Sequence, residues 1–133
     1  MIHIGKNTSS EVVSKSLSKN GGASIYRGLI DIKKSALGAV SKIDCDGLIL
    51  DSKSRSDTIP DIRVATDDAI VAHEASVGKI NEDTLFYLMS RGIVETKAKT
   101  MIVRGFVSPL LKELPLEYAA EMNVLIGMEM VGM

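Results

Sequence analysis

Residues 1–80 consist of short apolar runs, rich in β-branched residues and separated by Gly, Asn, Asp, Ser or Pro. Such runs predict strands, because alternate side chains of a strand point to opposite faces. In SEVVSKSLS, Val13 and Leu17 fall on one face and Val12 falls on the other. The further predicted strands are the region of Ile2 and Ile4, ASIYRGLIDI, DGLIL, DIRVA and AIVAHEA.

A weak repeat runs through these strands. RGLIDI and DGLILD share a Gly-Leu-Ile core, so that Gly28 corresponds to Gly47. The step from Ile49 to Ile70 is of similar length. A period near twenty in strand-rich sequence favours a parallel β-solenoid, in which like residues stack on successive coils. An antiparallel sandwich with coincidental similarity between strands is the alternative.

Helical patterns begin after Gly78. INEDTLFYLMSRGI predicts a helix with Asn81 as its N-cap, an acidic first turn and Gly92 as its stop. VETKAKTMIVRGF predicts a second helix, which Ser108-Pro109 kinks or restarts. PLEYAAEMNVLIGMEM predicts a third, whose apolar stripe we expect to be buried and which comprises Tyr118, Met122, Leu125 and Ile126. We therefore predict two domains, a β-rich domain over 1–80 and a helical domain over 81–133.

Composition narrows the class of protein. The 133 residues are 45% apolar and 25% charged, which is enough for a core without disulfides. A net charge of −1 argues against nucleic-acid binding through bulk electrostatics. No apolar run is long enough to cross a bilayer, and the amino terminus lacks a signal-peptide pattern. With one cysteine no internal disulfide can form, so we expect a soluble cytoplasmic protein.

The candidate chemical groups are Cys45 and His73. On a strand, Cys45 faces away from its neighbours Asp44 and Asp46. A lone cysteine or histidine is more often structural than functional. Two flanking carboxylates also raise the pKa of a thiol, which argues against a nucleophile. The sequence contains no Cys-x-x-Cys, His-Glu-x-x-His or Gly-x-Ser-x-Gly motif.

The spacing of these two residues favours a shared site. The polar stretch DSKSRSDTIPD lies between Cys45 and His73. If that stretch is a loop bulging from one coil, the two residues lie on neighbouring coils, about 4.8 Å apart. A thiolate beside an imidazole suits iron, zinc or an iron–sulfur cluster. Glu74 is a candidate third ligand, although on a regular strand it points away from His73, so the missing ligands would come from a second chain.

Five stretches of the chain closely resemble the carboxy-terminal part of the SufB/SufD family, the scaffold proteins of iron–sulfur cluster assembly. They are HIGKNTSS, IYRGLIDI, DCDGLIL, AHEASVGKINEDTLFYLMSRGI and GFVSPLLKELPLEYA, and the resemblance runs from Ile2 to Leu125. It implies a right-handed parallel β-helix followed by a small helical domain. It also implies that the scaffolds pair through their β-helix ends and that the helices hold SufC, an ABC-type ATPase.

The same resemblance assigns roles to individual residues. Cys45 matches the SufB cysteine implicated in building the nascent cluster. His73 matches a histidine present in SufB-like and SufD-like members, and Glu74 matches the SufB-like glutamate that follows it. Their combination makes the chain SufB-like rather than SufD-like. Ala72 departs from the pattern, because SufB-like members often have another glutamate there. The upstream coils of the family are also missing, so we expect a fragment of a longer protein, with a stand-alone minimal version as the alternative.

We therefore expect a SufB-like scaffold that is not an enzyme. It would carry a transient iron–sulfur cluster, through Cys45, His73 and Glu74, at its interface with a second SufB-like or SufD-like chain, as a homodimer or heterodimer. LFYLMSRGI and GFVSPLLKELP are the candidate contacts with SufC. The alternative is a truncated binding module that recruits the ATPase and carries no cluster, which Ala72 and the missing coils favour. A small enzyme with a Cys45–His73 nucleophile–base pair is a third, weaker hypothesis.

Overall fold

The computed structural model describes residues 1–130. Two compact units follow each other along the chain, the first spanning Met1–Lys79 and the second beginning at Ile80. The predicted helical domain extends to residue 133, and its last three residues lie outside the described range. The elements of residues 1–130 are the strands β1 (Ile2–His3), β2 (Ser9–Ser18), β3 (Ala23–Ile32), β4 (Ala39–Ile49), β5 (Arg55–Val64) and β6 (Ala69–Lys79), and the helices α1 (Glu82–Ser90), α2 (Glu95–Lys112) and α3 (Leu116–Glu129).

Consecutive strands alternate between two sheets. Within the described residues one sheet has the order β1-β3-β5 and the other has the order β2-β4-β6. All of these pairings are parallel, which excludes the antiparallel sandwich. Ile2 pairs with Asp31 and Ala23 pairs with Arg55, so each repeat is clearly longer than the predicted period. The period near twenty is therefore wrong, because each repeat contains two strands and not one.

The core of the first unit lies between the inward faces of β3 and β4. Ile30, Ile32 and Ile43 are at most 2% exposed, and Cys45 belongs to the same buried cluster. From Ala39 to Cys45, odd-numbered side chains of β4 are buried, whereas Lys42 and its even-numbered neighbours face outward. Each fully buried aliphatic side chain of this size contributes roughly 1.5–3 kcal/mol. The alternation thus fixes the direction of the side chains along this part of β4.

Strand β5 occupies most of the stretch that we predicted to be a loop. It begins at Arg55 and includes Pro60, so the connection from β4 is limited to residues 50–54. Proline has no backbone N–H to donate to a neighbouring strand. It is therefore tolerated at the edge of a sheet, where one side of the strand has no neighbour. Strand β5 is the edge of its sheet in the described part of the chain. The polar composition of this strand reflects that position, since its side chains are half-buried or exposed.

The helices of the second unit begin close to the predicted positions. The side chain of Asn81 caps α1 by accepting a hydrogen bond of 2.8 Å from the backbone N–H of Thr84. Gly92 follows α1 with a φ of +83°, a conformation that glycine adopts at little cost. Helix α2 continues through Pro109 to Lys112 and does not restart at Ser108. No helix of residues 1–130 combines the length and apolar character needed to span a membrane.

The buried face of α3 differs from the predicted stripe. Ile126 is buried, but Tyr118 and Leu125 are 64% and 47% exposed. The face turned inward instead carries the half-buried Asn123 together with Ile126 and Met130. Asn123 is tolerated there because its amide donates a hydrogen bond of 3.0 Å to the carbonyl of Ala119. The position of the apolar residues alone therefore predicts the wrong face.

Candidate functional site

Cys45 lies on β4, the central strand of its sheet. Its side chain points inward and is 3% exposed. In the strand register it lies between Ser14 of β2 and Ala75 of β6. Burial raises the pKa of the Cys45 thiol above its ordinary value, and the carboxylates of Asp44 and Asp46 raise it further. The raised pKa therefore favours the protonated, neutral thiol over the thiolate.

His73 lies on β6, beside Cys45. Its register partner on β4 is Ile43, so Cys45 and His73 occupy adjacent strands with an offset of two positions. Because side chains alternate along a strand, both project from the same, inward face. The Nε2 atom of His73 is buried and has no hydrogen-bond partner within residues 1–130. A buried imidazole nitrogen without a partner is costly and calls for a physical explanation.

Glu74 lies on the opposite, outward face of the same strand. Strand β6 continues without a break to Lys79, so Glu74 cannot turn towards His73. Its register partner is Asp44, whose carboxylate accepts a hydrogen bond of 2.7 Å from Lys42. The pKa of Lys42 is raised above its ordinary value, first by this hydrogen bond and by the charge of Asp44, then by more distant carboxylates that include Glu74. The outward face is thus an acidic surface on which Lys42 pairs with Asp44 and Lys15 pairs with Asp46.

The three candidate ligands therefore do not form one cluster in this chain. Cys45 and His73 share a face, and Glu74 does not. No group of three or more His, Cys, Asp or Glu side chains arranged to hold a metal ion occurs in the part of the chain that the structure describes. A thiolate and an imidazole are good ligands for iron, but two ligands leave a tetrahedral site half filled.

Tyr26 is a residue near this site that the sequence interpretation overlooked. It lies on β3 of the facing sheet and packs against the buried cluster that contains Cys45. Its pKa is raised above its ordinary value, mainly by burial and in addition by the charge of Cys45. The signal in the sequence was the alternation of ASIYRGLIDI, which places Tyr26 on the same face as the buried Ile30 and Ile32.

The sequence that forms these strands matches a known family. The family model described as "SUF system FeS cluster assembly, SufBD core domain" matches residues 1–106, most of the chain. The chain belongs to the SufBD core family. It is 58% identical over 132 residues to proteins named "Iron-sulfur cluster assembly SufBD family protein" from Staphylococcus haemolyticus (strain JCSC1435) and Staphylococcus aureus (strain USA300). These alignments cover 99% of this chain and 28% of each relative, so the chain spans just over a quarter of their length.

Ala72 lies within this SufBD core domain. It lies on the outward face of β6, opposite Lys42. A glutamate at this position would therefore extend the acidic surface around Lys42 and Glu74, because residues 72 and 74 share a face. It would not approach Cys45. The departure at Ala72 thus alters the outward face and leaves the inward Cys45–His73 pair unchanged.

Proposed function

We propose that this SufBD core chain is part of a scaffold that holds sulfur and iron during iron–sulfur cluster assembly and is not an enzyme by itself. The supporting observation is that Cys45 and His73 share the inward face of adjacent strands. The buried Nε2 of His73 without a hydrogen-bond partner in the described chain fits this role, because an iron ligand bond would compensate for the missing hydrogen bond. Cys45 would act as the thiolate ligand or sulfur acceptor.

A second chain would complete the ligand set. Glu74 faces outward, so Cys45 and His73 supply two ligands to an inward site. His73 lies on β6, which is the edge strand of its sheet among the described residues. A second SufB-like or SufD-like chain that approaches this edge would bring its own ligands within reach. Glu74 would bind iron on the outward side of the same interface.

The β-rich unit is best interpreted as a segment of a right-handed parallel β-helix. Two observations support this interpretation, namely the alternation of strands between two parallel sheets and the stacking of each strand on the next but one. In such a fold each coil stacks on the next through backbone hydrogen bonds. The ends of the stack are then natural pairing surfaces for a second scaffold chain.

The helical unit would dock a SufC-like ABC ATPase in the cytoplasm. The segment LFYLMSRGI contains Phe86 and Tyr87, whose side chains are 73% and 55% exposed. The segment GFVSPLLKELP contributes Leu110 and Leu114, which are 40% and 36% exposed. Exposed aromatic and aliphatic side chains grouped on short helices are typical of a protein-binding surface.

Anaerobic reconstitution with ferrous iron and sulfide tests the scaffold role. We expect visible charge-transfer absorption in the wild-type chain, its loss in Cys45→Ala, and weaker absorption in His73→Gln and Glu74→Gln. Glu11→Gln is the matched control for Glu74→Gln, since Glu11 is exposed on β2 next to Lys42. Absorption that persists unchanged in Cys45→Ala would contradict the proposal.

The second candidate function is a binding module that recruits the ATPase and carries no cluster. The outward position of Glu74, on the face opposite to Cys45 and His73, favours it. In that case reconstituted protein stays colourless yet still binds a SufC-like ATPase in size-exclusion chromatography. Phe86→Ala then weakens the complex, whereas Cys45→Ala has no effect.

A further inference from the structure

Tyr26 is the one Phe, Trp or Tyr residue among residues 1–79. It lies on β3, on the same inward face as Gly28 and Ile30. Since Cys45 lies on β4, the two side chains come from different sheets and meet in one core. An aromatic side chain with a hydroxyl group therefore packs against the buried cluster that contains the sole thiol of the chain.

Gly28 determines where the Tyr26 ring lies. A Cβ atom added at residue 28 would approach the Tyr26 hydroxyl to 2.5 Å and the ring atom Cε1 to 2.8 Å. The ring therefore leans along β3 and covers the backbone of Gly28. Any larger residue at position 28 would displace the ring. The absence of a side chain at Gly28 thus allows the Tyr26 ring to lie here, with its hydroxyl next to the Gly28 backbone.

The Tyr26 hydroxyl is available as a donor. It makes no hydrogen bond to any residue within 1–130, including Cys45. A phenol is protonated at neutral pH and donates one hydrogen bond, and half-buried tyrosines ordinarily use it. The same interior contains the His73 Nε2, which also has no partner in the described chain. The core that contains the buried thiol therefore has two polar groups without partners.

We propose that Tyr26 is a sulfur-binding residue of this site. Its hydroxyl, held over Gly28, donates a hydrogen bond to the anionic terminal sulfur of a persulfide carried on Cys45. A persulfide places its charged sulfur about 2 Å beyond the cysteine sulfur, towards the interior that Tyr26 faces. A donor there stabilises the sulfur anion in a buried position, where an unpaired charge would be costly. The inference rests on the proposed role of Cys45 as a sulfur acceptor.

The test loads sulfur onto Cys45 with inorganic tetrasulfide under anaerobic conditions. The Cys45 thiolate attacks a sulfur atom of the tetrasulfide, a new S–S bond forms, an S–S bond of the tetrasulfide breaks, and trisulfide leaves with the electron pair. Mass spectrometry of the intact full chain counts the sulfur added, and dithiothreitol then removes it at a measurable rate. We expect Tyr26→Phe to lose the persulfide about tenfold faster than the wild type, since a hydrogen bond to a charged group is lost.

Three further variants make the result specific. Tyr118→Phe removes the hydroxyl of an exposed tyrosine on α3 and should match the wild type. Gly28→Ala displaces the Tyr26 ring and should resemble Tyr26→Phe. Tyr26→Phe keeps the ring, so an unchanged melting temperature separates the loss of the hydroxyl from a loss of packing. Glu11→Gln controls for changes of charge on the outward face.

The outcomes separate this inference from the proposed function. Sulfur that is retained equally by the wild type and Tyr26→Phe overturns the role of Tyr26 and leaves Cys45 as the acceptor. A wild-type chain that takes up no sulfur overturns both. Faster loss in Tyr26→Phe and Gly28→Ala, with Tyr118→Phe unchanged, supports the inference.

Discussion

Asp44 and Glu74 are register partners on neighbouring parallel strands, and both carboxylates project from the outward face of the sheet. Like charges at directly opposed positions repel each other, and here the hydrogen bond of 2.7 Å from Lys42 to Asp44 offsets part of the repulsion. The side-chain atom Oδ1 of Asp44 is buried without a partner in the described chain. The repulsion between Asp44 and Glu74 therefore lowers the stability of the folded chain.

Glu74→Gln should raise the stability of the chain by a few tenths to about 1 kcal/mol, because it removes one of the two opposed charges. Urea denaturation measures the change. Glu11→Gln, on the same face, should lower the stability slightly, since Glu11 pairs in register with the oppositely charged Lys42. A loss of stability in Glu74→Gln would show that Glu74 is held by attraction and not by repulsion.

The Cys45 thiol should react slowly with iodoacetamide at neutral pH. Its pKa is raised by burial and by Asp44 and Asp46, so the reactive thiolate is scarce until the pH exceeds the usual thiol range. We expect labelling at least about tenfold slower than in urea-unfolded protein at pH 7, with the difference shrinking as the pH rises. Mass spectrometry follows the reaction. Equal rates at pH 7 would favour the hypothesis of a Cys45–His73 nucleophile–base pair.

Ile43→Ala should destabilise the first unit by roughly 2–5 kcal/mol, because Ile43 is fully buried and its truncation leaves a cavity. Val40→Ala lies on the same strand at a side chain that is 43% exposed, and it should cost less than about 1 kcal/mol. Urea midpoints of the two variants give the comparison. Similar losses would show that β4 does not face the core as described.

Asn81→Ala should destabilise α1 by about 0.5–2 kcal/mol, since the backbone N–H of Thr84 loses its cap. Asn81→Asp should keep the stability, because a carboxylate accepts the same hydrogen bond and suits the helix dipole. Thermal unfolding followed by far-UV circular dichroism compares them. If the alanine and aspartate variants melt alike, the cap contributes nothing.

Asp51 should make stability depend on pH in the acidic range. Its pKa falls from 3.8 to about 2, chiefly because the Ser54 hydroxyl donates a hydrogen bond to its carboxylate, with help from the backbone N–H groups of Lys53 and Ser54. A lowered pKa contributes stability above pH 3.8 that disappears as the pH falls towards 2. The difference in urea midpoint between wild type and Asp51→Asn should close over that interval. Ser54→Ala should weaken the same dependence, and a constant difference would contradict the assignment.

Local sequence pattern was enough to locate most strands and the ends of α1. Alternation on β4 predicted that Cys45 faces away from Asp44, and alternation on β6 placed Glu74 opposite to His73. These predictions succeeded because side-chain direction on a strand is a local property. The cap at Asn81 is equally local.

The features that the sequence did not predict have a common physical cause. Each depends on contacts between residues that are distant in the sequence. Strand β5 shows no apolar alternation, and its order comes from pairing with β3 along its whole length. The buried face of α3 depends on its packing against α2. Tyr26 packs against the cluster that contains Cys45 only because the two sheets share one core, which no pattern within ASIYRGLIDI reveals.

The unequal length of successive two-strand repeats affects where the chain tolerates insertions. The stretch of chain from Ala23 to its stacked partner Arg55 is longer than the stretch from Ile2 to its partner Asp31. Each strand pair keeps a continuous register, so the corners between strands absorb the difference in length. Insertions are then better tolerated at a corner such as residues 50–54 than inside a strand. A reporter group or affinity tag grafted at such a corner should leave the stacked interior, and the thiol within it, undisturbed.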